Sequence, residues 1–234
     1  LGRLLYDSKN VFVDQMSQAK IESEKYGTQG NDIDLALLVD GLQAEREQGI
    51  TIDVAYRYFE SSKCKFIIAD TPGHEQYTRN MATGASNADV AIILIDAQKG
   101  ILEQTKRHIF IVNLLGIKHV IVAINKMDLI NYDQKVFKKI VTSVEGLIKN
   151  FYFDSINFIP LSALNGDNVF SNLENIKWYR GSTLIEILEK VDILDQRFKN
   201  LFSFPIQRVN RSSANFRGYS GTITDGKISK GDLI

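Results

Sequence analysis

With 234 residues, 44 % of them hydrophobic and 24 % charged, the chain has an ordinary globular composition and room for one large α/β domain plus part of another. Its 28 Lys and Arg balance 28 Asp and Glu, so it carries no overall electrostatic footprint for nucleic acid or an anionic membrane. The single cysteine, Cys64, excludes an internal disulfide and suits a reducing cytoplasm, and these residues include neither a signal peptide nor an apolar run long enough to span a bilayer.

Residues 1–16 read as helix, with Leu1, Leu4 and Leu5 at helical spacing. Residues 17–34 are polar, with Gly27 and Gly30, and predict an exposed, mobile segment. Leu35 to Gln48 reads helical and leads into Gly49-Ile50-Thr51. From Thr51 to Phe59, Ile52, Val54, Tyr56 and Tyr58 alternate with Asp53, Ala55 and Arg57, which predicts a half-exposed edge strand. A short turn joins it to the apolar run Phe66–Ala69. A helix near 76–87, a strand at 90–95, a helix near 103–115, a strand at 120–124, a helix near 133–150 and a strand at 158–161 follow. Thr183 with Glu186 is a capping box that opens a last helix at 184–191.

Strands alternating with helices predict a doubly wound, mostly parallel sheet with ligands at the carboxyl ends of its strands. After a linker at 192–203 the texture changes: 204–210 and 219–224 read as short strands, and Asp225-Gly226 is a hairpin signal. The expected division is an α/β domain over 1–196 and, over 197–234, the first strands of a β-barrel domain.

The chemistry gathers at the strand ends. Asp70-Thr71-Pro72-Gly73-His74 follows one apolar run. Asp70 can hold a water of a phosphate-bound Mg²⁺, and Gly73 lets a backbone N–H approach a terminal phosphate. His74, one residue on, can orient an attacking water. Asp-x-x-Gly alone arises by chance about once in two chains of this length, so the companions decide. Val120–Ile124 ends in Asn125-Lys126-Met127-Asp128, where Asp128 can accept both N–H donors of a guanine edge and so reject adenine. Lys126 can lie over the base or brace a phosphate loop. Phe158–Leu161 ends in Ser162-Ala163, whose backbone N–H can donate to guanine O6, and Thr51 offers a hydroxyl to Mg²⁺. Four ordered pieces at strand edges make a guanine-nucleotide switch of the P-loop GTPase type. The sequence holds no Gly-x-x-x-x-Gly-Lys-[Ser/Thr] phosphate loop. That strand–loop unit is expected ahead of Leu1, and the 234 residues alone are expected to bind nucleotide poorly.

The run Glu45–Ile52, with Asp70–His74 and Asn80-Met-Ala-Thr-Gly84, resembles the translation-factor class of GTPases. The longer block Leu35–Phe59, the stretch Phe66–Gly84, Trp178-Tyr179 and Phe216-Arg-Gly-Tyr219 are similar to the GTP-binding subunits of heterodimeric bacterial ATP sulfurylases. The resemblance implies GTP and Mg²⁺ as cofactors, with Thr51 and Asp70 at the metal and Gly73 at the γ-phosphate. It implies His74 as the residue that positions hydrolytic water, and Asn125, Lys126, Asp128, Ser162 and Ala163 at the guanine. It also implies a partner, the catalytic subunit that adenylylates sulfate, with GTP hydrolysis driving that reaction, and neither nucleic acid nor membrane. A translation factor delivering aminoacyl-tRNA, and a module that holds GTP without hydrolysing it, are the alternatives. His108 and His119 read as structural. Glu45, Arg46 and Glu47 read equally as a solvated charge cluster or as part of a partner-facing switch. Trp178 and Tyr179 read as core.

Overall fold

The unbroken apolar run Val120–Ile124 makes the central strand: alternate side chains leave a strand on opposite faces, and here both faces are buried. The computed structural model describes residues 1–8, 13–26, 33, 35–38, 43–171, 174–193, 202–213 and 216–233. Two compact units, Leu1–Lys190 and Val191–Ile234, divide the chain.

In the first unit β1 (Ala55–Glu60) and β2 (Lys65–Asp70) form an antiparallel hairpin, with Ala55 opposite Asp70. A second sheet has the order β3 (Val90–Asp96), β4 (His119–Asn125), β5 (Ser155–Pro160), all parallel. Helices α5 (Glu103–Leu114) and α6 (Gln134–Ile148) are its crossovers, and α4 (Thr78–Ala85) precedes β3. The remaining helices are α1 (Gly2–Asp7), α2 (Val13–Tyr26), α3 (Gln43–Gln48) and α7 (Leu184–Lys190).

Val120, Val122 and Ile124 of β4 face one way, onto Met81 of α4, Ile109 and Val112 of α5, and Phe137, Ile140 and Val144 of α6. Ile121 and Ala123 face the other way, with Leu4 and Leu5 of α1, Ile185 and Ile187 of α7, and Phe59 of β1. Helices therefore cover both sides, as the doubly wound expectation requires. Each buried branched side chain contributes about 1.5–3 kcal/mol. Thr183 caps α7 as its spacing predicts: Glu186 N–H donates to Thr183 Oγ1 at 3.3 Å, and Glu186 Oε2 accepts from Thr183 N–H at 3.2 Å.

Two expectations need correction. Helix α2 occupies Val13–Tyr26, so much of the segment read as exposed and mobile is helical. Ala19 and Ser23, one turn apart, are buried there, and neither glycine nor proline interrupts the run before Gly27. The helix read over Leu35 to Gln48 is a 3₁₀ turn at Leu35–Leu38 and, separately, α3; residues 39–42 lie outside the described residues.

In the second unit β6 (Arg208–Asn210) pairs antiparallel with β7 (Gly218–Ser220). Asp225 bridges to Ser203, and Gly226 turns at φ +66°, where the Asp-Gly pair predicted a turn. Among the described residues no helix is long and apolar enough to cross a membrane.

Candidate functional site

The registers place the chemistry. In β3 and β4, Asp96 lies directly beside Asn125, so two polar residues end neighbouring strands at one edge. Lys126, the next residue, turns out of the sheet at φ +63°, and its ammonium reaches Asp96 Oδ2 at 2.9 Å. Burial pushes the Asp96 carboxyl up. The Lys126 ammonium and the N–H groups of Gln98 and Lys99 outweigh it, and the group titrates below its ordinary value. Lys126 thus braces a strand-end acid, a partner the sequence reading missed; the signal was Asp96 closing the run Ile-Ile-Leu-Ile.

Beyond Lys126 the 3₁₀ turn Met127–Ile130 carries Asp128. Met127 is wholly buried and its N–H donates to Leu161 O at 3.3 Å, which pins this turn to the loop after β5. Asn125 Oδ1 accepts from Lys126 N–H at 2.8 Å and from Ala163 N–H at 2.9 Å. Arg3 Nε donates to Ala163 O at 3.1 Å from α1. The Ala163 N–H, expected as a free donor, is therefore engaged by Asn125, and the Ser162 N–H donates to Asp167 O at 3.2 Å. Asn125, Lys126, Asp128, Ser162 and Ala163 come together as one edge. Asp128 Oδ1 is the orphan of that edge, a buried carboxylate oxygen with no hydrogen-bond partner among the described residues. Such an oxygen is costly to leave unpaired, and it fits an incoming N–H donor.

The residues expected at the phosphates gather around the hairpin. Thr51 and Asp70 are both half-buried and belong to the same end of it, since Ala55 lies opposite Asp70. Glu45, read with Arg46 and Glu47 as either a solvated charge cluster or part of a partner-facing switch, is 4 % exposed. Its Oε1 accepts the N–H groups of Ile52 at 2.9 Å and Asp53 at 3.2 Å, which holds the segment next to Thr51. The side chains of Arg46 and Glu47 lie outside the described residues. Asn80 of α4 donates to Ile52 O at 2.9 Å. Gly84, one turn on, lets α4 close against the same segment: a Cβ there would stand 2.5 Å from Thr71 Cγ2 and 3.1 Å from Val54 Cγ1.

Burial pushes the Asp70 carboxyl above its ordinary value and the Glu45 carboxylate adds to this, while Arg57 and the Thr71 N–H oppose it. Among the described residues no three His, Cys, Asp or Glu side chains gather as a metal cage. A Mg²⁺ that keeps its waters and binds phosphate oxygens needs only one or two protein oxygens, and the Thr51 hydroxyl and Asp70 carboxylate have that chemistry. Gly73 and His74 are exposed, and no atom lies within 4 Å of where a Gly73 Cβ would sit. Nothing in the protein itself requires glycine there. His74 stands at the N-cap position of the 3₁₀ turn Glu75–Tyr77 without a side-chain capping bond, and Glu75 ties that turn to α5 through Arg107 at 2.8 Å and Gln104 at 3.2 Å. His119 Nδ1 lies 2.8 Å from Ser155 Oγ between β4 and β5, a structural contact. The 234 residues contain no Gly-x-x-x-x-Gly-Lys-[Ser/Thr].

The family model of the elongation factor Tu GTP binding domain matches residues 1–196. The chain belongs to that family. It is similar to sulfate adenylyltransferase subunit 1 of Saccharophagus degradans, 56 % identical over all of this chain and 50 % of that protein. The Sulfurovum sp. protein of the same name is 59 % identical over all of this chain and 49 % of its own length. The chain spans about half the length of the curated relatives it matches. Among solved structures, the S. cerevisiae Ski7 GTPase-like domain, bound to GDP and inorganic phosphate, aligns with TM-score 0.65. That alignment has 22 % identity over 96 % of this chain and 55 % of the other, a likeness of fold.

Proposed function

We propose that the chain is the GTP-binding portion of the GTPase subunit of a sulfate adenylyltransferase. In this reading GTP turnover drives formation of adenylyl sulfate and pyrophosphate from ATP and sulfate in a partner catalytic subunit. The observation that carries it is the 56–59 % identity, across the whole chain, to proteins named sulfate adenylyltransferase subunit 1. The orphaned Asp128 Oδ1 supports guanine as the base, because its carboxylate lacks the donors that guanine's N1–H and 2-amino group supply. Asn125 and Lys126 shape that edge, and Ser162 and Ala163 back it. Open space around Gly73 supports close approach of a phosphate to its N–H. Thr51 and Asp70 would hold Mg²⁺, which when bound neutralises charge on the phosphates. His74, exposed on a turn tied to α5, positions the attacking water. The single cysteine suits a cytoplasmic setting.

Coupling requires that the GTP and GDP states contact the partner differently, since a ligand shifts an equilibrium only by its differential affinity. The segments around Thr51 and Asp70–His74 can supply that difference, because both border the γ-phosphate position. Delivery of aminoacyl-tRNA is the weaker reading. The translation-related structures that match do so at 22–24 % identity, which speaks to fold alone.

GTP hydrolysis by the full-length protein together with the catalytic subunit tests the proposal. Stimulation by ATP plus sulfate is expected, and stimulation by ribosomes instead refutes it. In that assay His74→Ala is expected to lower turnover by roughly 10²–10⁴-fold while GTP affinity stays nearly constant.

A further inference from the structure

Asp167, in the loop after β5, is wholly buried, yet no Lys or Arg pairs with it among the described residues. A buried carboxylate without a counter-ion persists only where hydrogen bonds fill its oxygens. One Asp167 oxygen accepts from the Tyr132 phenol, and the other accepts from Asn175 Nδ2 at 3.3 Å. The Tyr132 hydroxyl in turn accepts from Asn165 Nδ2 at 3.1 Å.

Each member of the pair is rooted in a different base-reading loop. Tyr132 closes the turn that carries Asp128: its N–H donates to Met127 O at 2.8 Å, and its carbonyl accepts from Trp178 Nε1 at 2.8 Å. It does so at φ +54°, a conformation that a non-glycine residue keeps only where its surroundings hold it. Asp167 accepts the Ser162 N–H at its backbone carbonyl and so belongs to the loop that presents Ala163. Near the strand ends these loops are joined by Asn125 with Ala163 and by Met127 with Leu161; Tyr132 and Asp167 join them again, farther out.

We propose that the Tyr132–Asp167 hydrogen bond is a latch that fixes the two guanine-reading loops relative to each other, making both side chains positioning residues for guanine specificity and nucleotide retention. The proposal rests on the reading of Asn125–Asp128 and Ser162-Ala163 as the guanine site. Opening the latch leaves a carboxylate oxygen unpaired inside the protein, so the closed arrangement is favoured. Burial and the neighbouring Asp167 carboxylate both raise the Tyr132 phenol above its ordinary value, so it remains a donor throughout the neutral range. With the loops fixed, Asp128 meets the base edge at one angle, and a base lacking one donor is penalised in full.

Tyr132→Phe in the full-length protein removes the hydroxyl alone. Affinity and release rate are measured for GDP and for IDP, which lacks the 2-amino group that Asp128 reads. The wild type is expected to prefer GDP. The variant is expected to lose about three- to tenfold of that preference and to release GDP faster by a similar factor, with a lowered melting temperature because Asp167 Oδ2 loses its donor. Wild-type preference and release rate in the variant overturn the latch. Equal weakening toward GDP and IDP alongside the lowered melting temperature assigns the bond to fold stability alone and also overturns it. A wild type without preference for GDP overturns the guanine reading itself, and that result is read before any variant is made.

Discussion

Glu45→Ala probes how the Thr51 segment is held. The Glu45 carboxylate is 4 % exposed and takes two backbone N–H groups, from Ile52 at 2.9 Å and Asp53 at 3.2 Å. Hydrogen bonds to a charged group contribute about 1.5–3 kcal/mol each. Asp53 is exposed, so its N–H regains water when the carboxylate goes, and only the bond to half-buried Ile52 counts in full. Removing a buried carboxylate that disfavours ionised Asp70 offsets a further part. The net loss is about 2 kcal/mol, confined to this segment, or roughly 30-fold in its opening equilibrium. Native-state amide hydrogen exchange reads it directly. Protection at Ile52 and Asp53 is expected to fall about 30-fold while amides of β4, such as Val122, keep theirs. Glu45→Gln, which retains a neutral acceptor, is expected to fall between. Unchanged protection of Ile52 and Asp53 in the alanine variant would refute the role given to Glu45.

Gly84→Ala is expected to lower unfolding free energy by about 1–2 kcal/mol, because overpacking against Thr71 and Val54 exceeds the gain in helix propensity; a urea midpoint above wild type would contradict this. His108 on α5 has a buried Nε2 without a hydrogen-bond partner among the described residues, and burial first, then the Arg107 charge, holds its pKa below the ordinary 6.5. The unfolded chain therefore takes up that proton first, and stability is lost as pH falls from about 6.5 through the lower folded value. His108→Gln is expected to flatten the loss between pH 7.5 and 5.5 in urea titrations, and an identical pH dependence counts against it.

The strands of the three-stranded sheet were legible because each is a short apolar run with a polar residue at its end. That pattern also announced Asp70, Asn125 and the Ser162-Ala163 loop. The amphipathic spacing of Phe137, Ile140 and Val144 gave α6, and Thr183 with Glu186 gave the start of α7. Long-range pairing was not legible. Glu45 sits among Arg46, Glu47 and Gln48 and reads as surface; only the return of Ile52 and Asp53 across the next turn shows that its carboxylate is interior. Asp167 follows Gly166 in an Asn-Gly-Asp stretch with every mark of an exposed turn, and its partner Tyr132 is 35 residues away. Helix α2 was missed because its few small apolar residues make a faint stripe, so packing rather than pattern determines it.

Lys126, Asn131 and Tyr132 all hold left-handed backbone, at φ +63°, +51° and +54°, within seven residues of one another and without a glycine among them. A loop of this kind surrendered its freedom when the protein folded, not when a ligand arrived. On the reading proposed above, a purine entering it has no backbone to organise, so little of its contact energy is diverted into ordering the site. On that reading the loop acts as a rigid template, with base choice resting on the Asp128 carboxylate that the fixed chain holds at one angle. Altering base preference at the proposed guanine site then takes either exchange of the functional group at Asp128 or release of the fixed loops that aim it.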